Sequence, residues 1–306
     1  MKNYQNSVLL ILLFLVGEVA IAQFASQKKA DYYFSKFSYS LAIPEYEKMV
    51  ASDFNAEYAH QQLAECYLLI RDFKKSIPHF KAVINNATLP TDYYFKYAMA
   101  LYANGDLDAS ETWLKKYKKY NKNDSRVKRF LKDGNLASVV FNSRQRYEVE
   151  PVSFNSSDSD FGTFRFEGNL YFGSSRRDIV TGESYGWNDE PWLDIFAVQE
   201  DNPLSEPVRL KGNVNTKFHE SSVAFSTDYK NDTIMYFTRN NFYDKKEGYG
   251  SLNEINLKIY SAKYVDDEWV ENSNLRINSD YYSTGHPSVN QARTRIYFTS
   301  DRPGGY

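Results

Sequence analysis

The chain has 306 residues, enough for about two domains, with 42% apolar and 25% charged residues and a net charge of −2. That balance fits a soluble globular protein and supplies no global field to attract nucleic acid. The single cysteine, Cys66, excludes an internal disulfide and a thiolate metal cluster, and it stands where a helix takes a small apolar residue.

The first predicted element is a secretory signal peptide over residues 1–22. Lys2 gives a positive start, Val8 to Val16 an apolar run, and Ala20-Ile21-Ala22 a small-x-small cleavage pattern. The run is short for a bilayer span, which leaves a retained anchor as the alternative. No cysteine follows it, and no later stretch approaches 18 apolar residues. The mature chain is therefore expected to be exported, with no transmembrane helix after cleavage. Export argues against ATP, NAD or chromosomal DNA as ligands.

A repeat of 34 residues follows. Leu63-Ala64…Tyr67…Asp72-Phe73…Ser76-Ile77-Pro78…Phe80 is matched forward by Tyr97-Ala98…Leu101…Asp106-Leu107…Ser110…Leu114. It is matched backward by Lys29-Ala30…Tyr33…Ser38-Tyr39…Ala42-Ile43-Pro44…Tyr46. Each unit reads as a helix, a turn and a second helix. Ala30, Ala64 and Ala98 let the two helices approach, and Tyr46, Phe80 and Leu114 fill the space to the next unit. Gly105 permits positive φ in the third turn, and Pro44 and Pro78 are expected in the first turn of the second helix. Residues 124–140 read as a polar capping helix started by Asp124 or Ser125. The helical domain is thus predicted over 23–141.

Nine basic residues lie at the end of this region: Lys115, Lys116, Lys118, Lys119, Lys122, Arg126, Lys128, Arg129 and Lys132. They read either as a solvated helix surface or as an anion-binding face.

From 142 to 306 the texture becomes short aromatic and β-branched runs broken by Gly, Asn, Asp and Ser, an all-β signal. Asn169-Leu170-Tyr171-Phe172-Gly173-Ser174 matches Ile234-Met235-Tyr236-Phe237-Thr238-Arg239, 65 positions on, and Arg295-Ile296-Tyr297-Phe298-Thr299-Ser300, a further 61 on. A strand follows in the first two, Leu193–Val198 and Leu257–Ala262. Phe218-His219-Glu220-Ser221-Ser222 parallels Gly285-His286-Pro287-Ser288, which sets His219 and His286 at matched positions. Several strands per period predict β-propeller blades: two whole ones and the start of a third, as in a fragment of a longer protein.

No HExxH, GxSxG, Walker or GxGxxG pattern occurs, and no catalytic, cofactor or metal residue is assigned. His60 and His79 share one helical repeat without a cysteine partner. Asp158-Ser159-Asp160 lacks the glycine and distal glutamate of a calcium loop. Gly248-Tyr249-Gly250 reads as an isolated turn, and Asp266-Asp267-Glu268 before Trp269 as a solvated hairpin turn.

Residues 26–120 resemble tetratricopeptide repeats, which implies a concave groove for peptides or proteins. The closing Tyr297-Phe298-Thr299-Ser300-Asp301-Arg302-Pro303-Gly304-Gly305-Tyr306 resembles the PD40 motif of TolB-type, WD40-like propellers. The first two blades depart from it, with Ser174-Ser175-Arg176-Arg177 and Thr238-Arg239-Asn240-Asn241, which sets aside a ligand role for the turn there. A signal peptide, tetratricopeptide repeats and PD40 blades in that order resemble the front of Bacteroidetes OmpA-family envelope proteins. That resemblance implies a periplasmic, outer-membrane-associated scaffold. It would bind other envelope proteins through the helical groove or a propeller face, and peptidoglycan through a further domain. Some such proteins are accessory parts of type IX secretion. The alternatives are the regulatory propeller of a secreted hydrolase and a glycan-binding module built on Tyr185-Gly186-Trp187…Trp192.

Overall fold

The computed structural model describes residues 23–132, 147–177, 184–202, 204–240, 242–243, 246–247 and 255–304, helical first and antiparallel β afterwards. The predicted signal segment, the second half of the helix predicted over 124–140, the 141/142 boundary, the Gly248-Tyr249-Gly250 turn and the last two residues lie outside the described residues. The chain divides into two units. The first runs to Glu148 and includes Gly186–Asp189; the second comprises Val149–Tyr185 and Glu190–Tyr306.

The helical unit is three antiparallel pairs and a final helix. The pairs are α1 (23–35) with α2 (Tyr39–Ala51), α3 (Ala56–Leu69) with α4 (Phe73–Val83), and α5 (Asp92–Ala103) with α6 (Leu107–Tyr120). Ala30, Ala64 and Ala98 are fully buried, and Tyr46, Phe80 and Leu114 are buried beside them. The Ser76 hydroxyl donates to the Ala64 carbonyl at 2.9 Å, and Ser110 repeats this on Ala98 at 2.8 Å. The first pair has Ala42 at that position and no hydroxyl to donate. Each pair turns through one left-handed residue: Phe37 (φ 58°), Arg71 (φ 65°) and Gly105 (φ 87°). In the third turn Asp106 N–H reaches the Leu101 carbonyl at 2.9 Å and Gly105 N–H the Tyr102 carbonyl at 3.0 Å, which satisfies the helix end. Asp72 and Asp106 then cap the next helices, accepting from the N–H groups of Lys75 (3.1 Å) and Ala109 (3.3 Å).

Pro44 and Pro78 lie inside α2 and α4, past the first turn where they were expected. The second helices begin at Tyr39 and Phe73, directly after the left-handed turn, so the prolines fall a turn later. Both are exposed, so the carbonyl each leaves without an N–H partner is on the water side. Asp124 starts α7 (Ser125–Lys132) by accepting from Arg126 N–H at 2.9 Å.

The second unit is a succession of antiparallel meanders. The first is β1 (Asp160–Phe166), β2 (Asn169–Ser174), β3 (Asp194–Gln199) and β4 (Val208–Arg209), in that spatial order. The second contains β5 (Glu220–Thr227) and β6 (Thr233–Asn240). After a small hairpin of β7 (Phe242–Tyr243) and β8 (Lys246–Glu247) come β9 (Leu257–Val265) and β10 (Glu268–Asn274), giving the order β5-β6-β9-β10. β11 (Thr284–Val289) and β12 (Ile296–Ser300) form a final pair. Among the described residues these sheets do not close on one another. The first two meanders share a core in which Phe166 stacks on Phe225 at 4.3 Å, with Tyr171, Ile195, Met235 and Trp269 around them. Asp266 and Asp267, both at positive φ, make the tight β9–β10 turn.

The register corrects one sequence alignment. The first residue of each meander faces the same place in its second strand: Asp160–Ser174, Glu220–Arg239 and Thr284–Ser300. Two residues on, each first strand bulges through a positive φ, at Gly162 (70°), Ser222 (52°) and His286 (54°). His286 therefore matches Ser222, not His219. The similar tripeptides misled because the His286 strand carries its histidine at the bulge, three positions later than His219.

Candidate interaction sites

In the helical unit, tyrosines and acids form bridges between neighbouring helices. Asp31 accepts from Tyr46 and Tyr58, both at 2.8 Å, Glu47 from Tyr67 at 2.6 Å, and Glu65 from Lys96 at 2.9 Å. Burial is the first cause that pushes Tyr58 up to about 12. Glu45 is held at about 2, first by the Lys29 ammonium at 2.7 Å, then by Lys48 and Ser26 against the cost of burial. His60 and His79, nineteen residues apart, meet at 2.8 Å between Nδ1 atoms, and His79 stacks on Tyr67. One ring must donate and the other accept, so the pair holds at most one of the two Nδ1 protons. Burial and then His60 depress the His79 pKa. Burial first, and then the Glu65 charge, push Cys66 up to about 12, which makes it a packing residue.

The same unit holds a short turn, Gly186–Asp189. Ser40 N–H (3.0 Å) and Oγ (2.7 Å) both donate to the Gly186 carbonyl. Trp187 stacks on Phe37 at 6.4 Å, meets Tyr39 edge-on at 4.9 Å, and donates through Nε1 to the Leu69 carbonyl at 3.3 Å. A Cβ at position 186 would lie 2.8 Å from Ser38 Oγ, so glycine is needed there. Trp187 therefore packs within the helical unit. Trp192 does stay with the second unit, against Tyr185, Phe218 and His219. Both tryptophans of the suggested glycan segment are committed to packing.

The basic run divides. Lys115 pairs with Glu111, Lys116 lies over Tyr94 and Trp113, and Arg126 pairs with Asp124 at 2.7 Å. Lys118, Lys119 and Lys122 are exposed.

In the second unit an arginine is anchored at the same point of each meander. Arg176 donates to Asp160 (3.0 Å) and the Phe154 carbonyl (3.0 Å), over Phe172 and Phe196. Arg302 donates to the Ile277 carbonyl (3.2 Å), over Phe298 and Tyr282. Arg239 donates to Glu220 (2.7 Å) and the Val214 carbonyl (2.9 Å), over Phe237 and Tyr260. Asp160 is thus engaged by Arg176, Ser174 and Ser156, rather than presented with Asp158 to a cation. Among the described residues no group of three metal-binding side chains converges.

Successive meanders are also joined by an asparagine clasp. Asn215 accepts from Ile195 N–H (2.7 Å) and donates to its carbonyl (3.0 Å), while His219 Nδ1 accepts from Leu193 N–H (3.1 Å). Asn278 does the same to Ile259 (2.9 and 2.7 Å), with Ser283 Oγ accepting from Leu257 N–H at 3.2 Å. With Nδ1 accepting, His219 carries its proton on Nε2, which is buried without a partner beside the equally unpartnered Trp192 Nε1. Burial pushes His219 down to about 4.

A cleft of about 560 Å³ opens between the first two meanders, lined by Tyr171, Tyr264, Trp269, Arg209, Lys211 and Asp267 among others. Arg209 is held by Asp194 at 2.6 Å. No helix among the described residues is long and apolar enough to cross a membrane. No family model matches the chain, and no curated protein matches it.

Proposed function

We propose that this chain is a non-catalytic scaffold of the bacterial cell envelope, exported to the periplasm and associated with the outer membrane. The observation that carries the binding role is the seat of Gly186–Asp189 on the helical unit. A serine gives two hydrogen bonds to one backbone carbonyl, and an aromatic pair receives one tryptophan. Backbone capture plus a large aromatic anchor is the chemistry by which protein surfaces hold a peptide segment, here a turn.

The fold reading behind the proposal is tetratricopeptide repeats followed by β-propeller blades. The 34-residue register of left-handed turns, caps and interhelix serine bonds supports the first. The threefold recurrence of bulge, arginine and strand pairing supports the second. The envelope location rests on the signal-peptide pattern. A link to the cell wall or to a secretion assembly rests on the resemblance to OmpA-family proteins.

The test is a pull-down from envelope extract of the source bacterium with the full-length protein tagged at its C-terminus. Recovery of outer-membrane or secretion proteins together with peptidoglycan is the expected result. Recovery of nothing specific, alongside hydrolysis of a peptide library by the purified protein, overturns the proposal.

A further inference from the structure

The two walls of the cleft between the first two meanders are tied together by backbone bonds. Trp269 N–H donates to the Lys211 carbonyl at 3.0 Å, and the Trp269 carbonyl accepts from Asn213 N–H at 3.1 Å. A Cβ at position 212 would collide with the Trp269 carbonyl, so Gly212 (φ 101°) is what lets the backbones meet. Tyr171 and Trp269 both pack on the Phe225 ring, with centroids 4.6 and 5.7 Å away. Tyr264 stands beside Trp269 at 5.2 Å and is 53% exposed. The rings of the cleft are thus positioned by the fold itself.

Two polar groups among them have nothing to bond. Tyr171 is 9% exposed and Trp269 5%. Among the described residues, neither the Tyr171 hydroxyl nor the Trp269 indole N–H has a hydrogen-bond partner. Burial first, and then the Glu167 charge, raise the Tyr171 pKa, so the hydroxyl keeps its proton. Neither atom is sealed off, since the wholly enclosed unpartnered polar atoms of the described residues belong to Trp192 and His219. Both residues line the cleft, and their polar tips open onto it. Charges of both signs flank them. Lys211 and Glu167 are exposed and have no ion-pair partner among the described residues. Arg209 is held by Asp194, and Asp267 lies 3.5 Å from the Tyr264 hydroxyl.

That set narrows the ligand. An apolar molecule would desolvate the phenol and the indole N–H without pairing them. An anion would face Glu167 and Asp267, and a cation would face Lys211 and Arg209. A ring with hydroxyls on its rim and C–H groups on its faces meets every demand. Its hydroxyls both donate and accept, and its C–H groups suit the electron-rich faces of aromatic rings. The cleft volume of about 560 Å³ lies within the range of about 300–1,000 Å³ common to small-molecule sites.

We propose that the cleft binds a neutral saccharide. Tyr264 is the stacking platform, Tyr171 and Trp269 are the buried donors, and Lys211 and Glu167 bond the outer hydroxyls. The site is separate from the Tyr185–Trp192 segment, and it requires neither export nor the scaffold role.

The test screens the purified full chain on an array of neutral glycans, followed by isothermal titration with the disaccharide of any sugar bound. Saturable binding is expected. Tyr264→Ala, at an exposed position, and Trp269→Phe, which keeps a ring and removes the N–H, are each expected to weaken it about tenfold or more. Tyr229→Ala, at an exposed tyrosine outside the cleft, is expected to leave it unchanged. Either result with the matching tetrasaccharide supports the proposal: binding as tight as the disaccharide identifies a polymer as the source, and much weaker binding a free sugar. No binding on the array overturns the proposal. So does binding that Tyr264→Ala and Trp269→Phe leave unchanged, or tighter binding of digalacturonic acid or indole than of any neutral sugar.

Discussion

Arg239 does in the second meander what Arg176 does in the first, from a position two residues earlier in its strand. Arg239 pairs in register with Glu220, where the first meander pairs Ser174 with Asp160. Yet both guanidinium groups end over the same cross-strand aromatic pair, Phe237–Tyr260 or Phe172–Phe196, and both bond the first-strand acid. The geometry is kept while the residue that supplies it moves. The arginine of the Ser300-Asp301-Arg302 turn is in this sense a structural pin rather than a ligand residue.

The two pins differ in burial, which sets their cost on removal. Arg239 is 2% exposed and Glu220 fully buried; Arg239 also bonds Glu271 and two carbonyls. Burial pushes the Glu220 carboxyl up, to about 7, while Arg239 and the Thr216 donors pull it down. Arg239→Ala strands that acid and is expected to cost about 3–5 kcal/mol. Arg176→Ala leaves Asp160 with its Ser156 and Ser174 donors and some water, and is expected to cost about 1–2 kcal/mol. Urea unfolding of the two variants checks the order, and equal losses would contradict it.

The left-handed turns give a second prediction. Arg71 occupies, with a Cβ, a conformation that Gly105 occupies without one. A non-glycine residue there costs about 1 kcal/mol. Arg71→Gly is therefore expected to raise stability by about 1 kcal/mol, and Gly105→Ala to lower it by a similar amount. Thermal unfolding of both variants measures this. A loss in Arg71→Gly would mean that its side chain does more than its exposure indicates.

What the sequence disclosed follows from what recurs at a fixed position. Ala30, Ala64 and Ala98 recur because close helix approach tolerates little else, and the 34-residue period was readable from them. The left-handed turns at 37 and 71 were not, since phenylalanine and arginine do not advertise positive φ. The arginine pin was read as drift because it comes from two different strand positions. The His60–His79 contact joins residues on different helices, and no local pattern marks it. The clasp asparagines sit in loops before each first strand, where Asn ordinarily signals only a turn. The tryptophan seat depends on a segment more than a hundred residues from Ser40, which periodicity does not reach.

The buried serines give a third prediction. Ser76 and Ser110 tie each second helix to the small-residue carbonyl of the first. Ser76→Ala or Ser110→Ala leaves that carbonyl without its extra donor and is expected to cost about 1 kcal/mol each. Ala42 is fully buried at the matching position of the first pair. Ala42→Ser supplies the missing donor to Ala30 and is expected to be neutral or to stabilise by up to about 1 kcal/mol. Destabilisation beyond that range would show that the first pair packs more tightly than the other two.

The last prediction concerns acid. His219 is neutral in the folded chain because it is buried, accepts from Leu193 N–H and has no counter-charge in hydrogen-bonding contact. Its folded pKa of about 4 lies below the unfolded value of about 6.5. A proton therefore binds the unfolded chain first. The stability tied to the neutral ring is complete above about pH 6.5, falls as pH drops from there, and is exhausted near pH 4, for a loss on the order of 3 kcal/mol. At pH 5 the expected loss is about 2 kcal/mol. Ser283 performs the same backbone capture at the next meander without a titrating group. His219→Ser is thus expected to keep the clasp bond while removing this part of the acid sensitivity. The comparison is chemical unfolding of both proteins at pH 7 and pH 5. The difference between the two pH values should shrink by about 2 kcal/mol in His219→Ser, and an unchanged difference would mean that His219 is already charged in the folded chain.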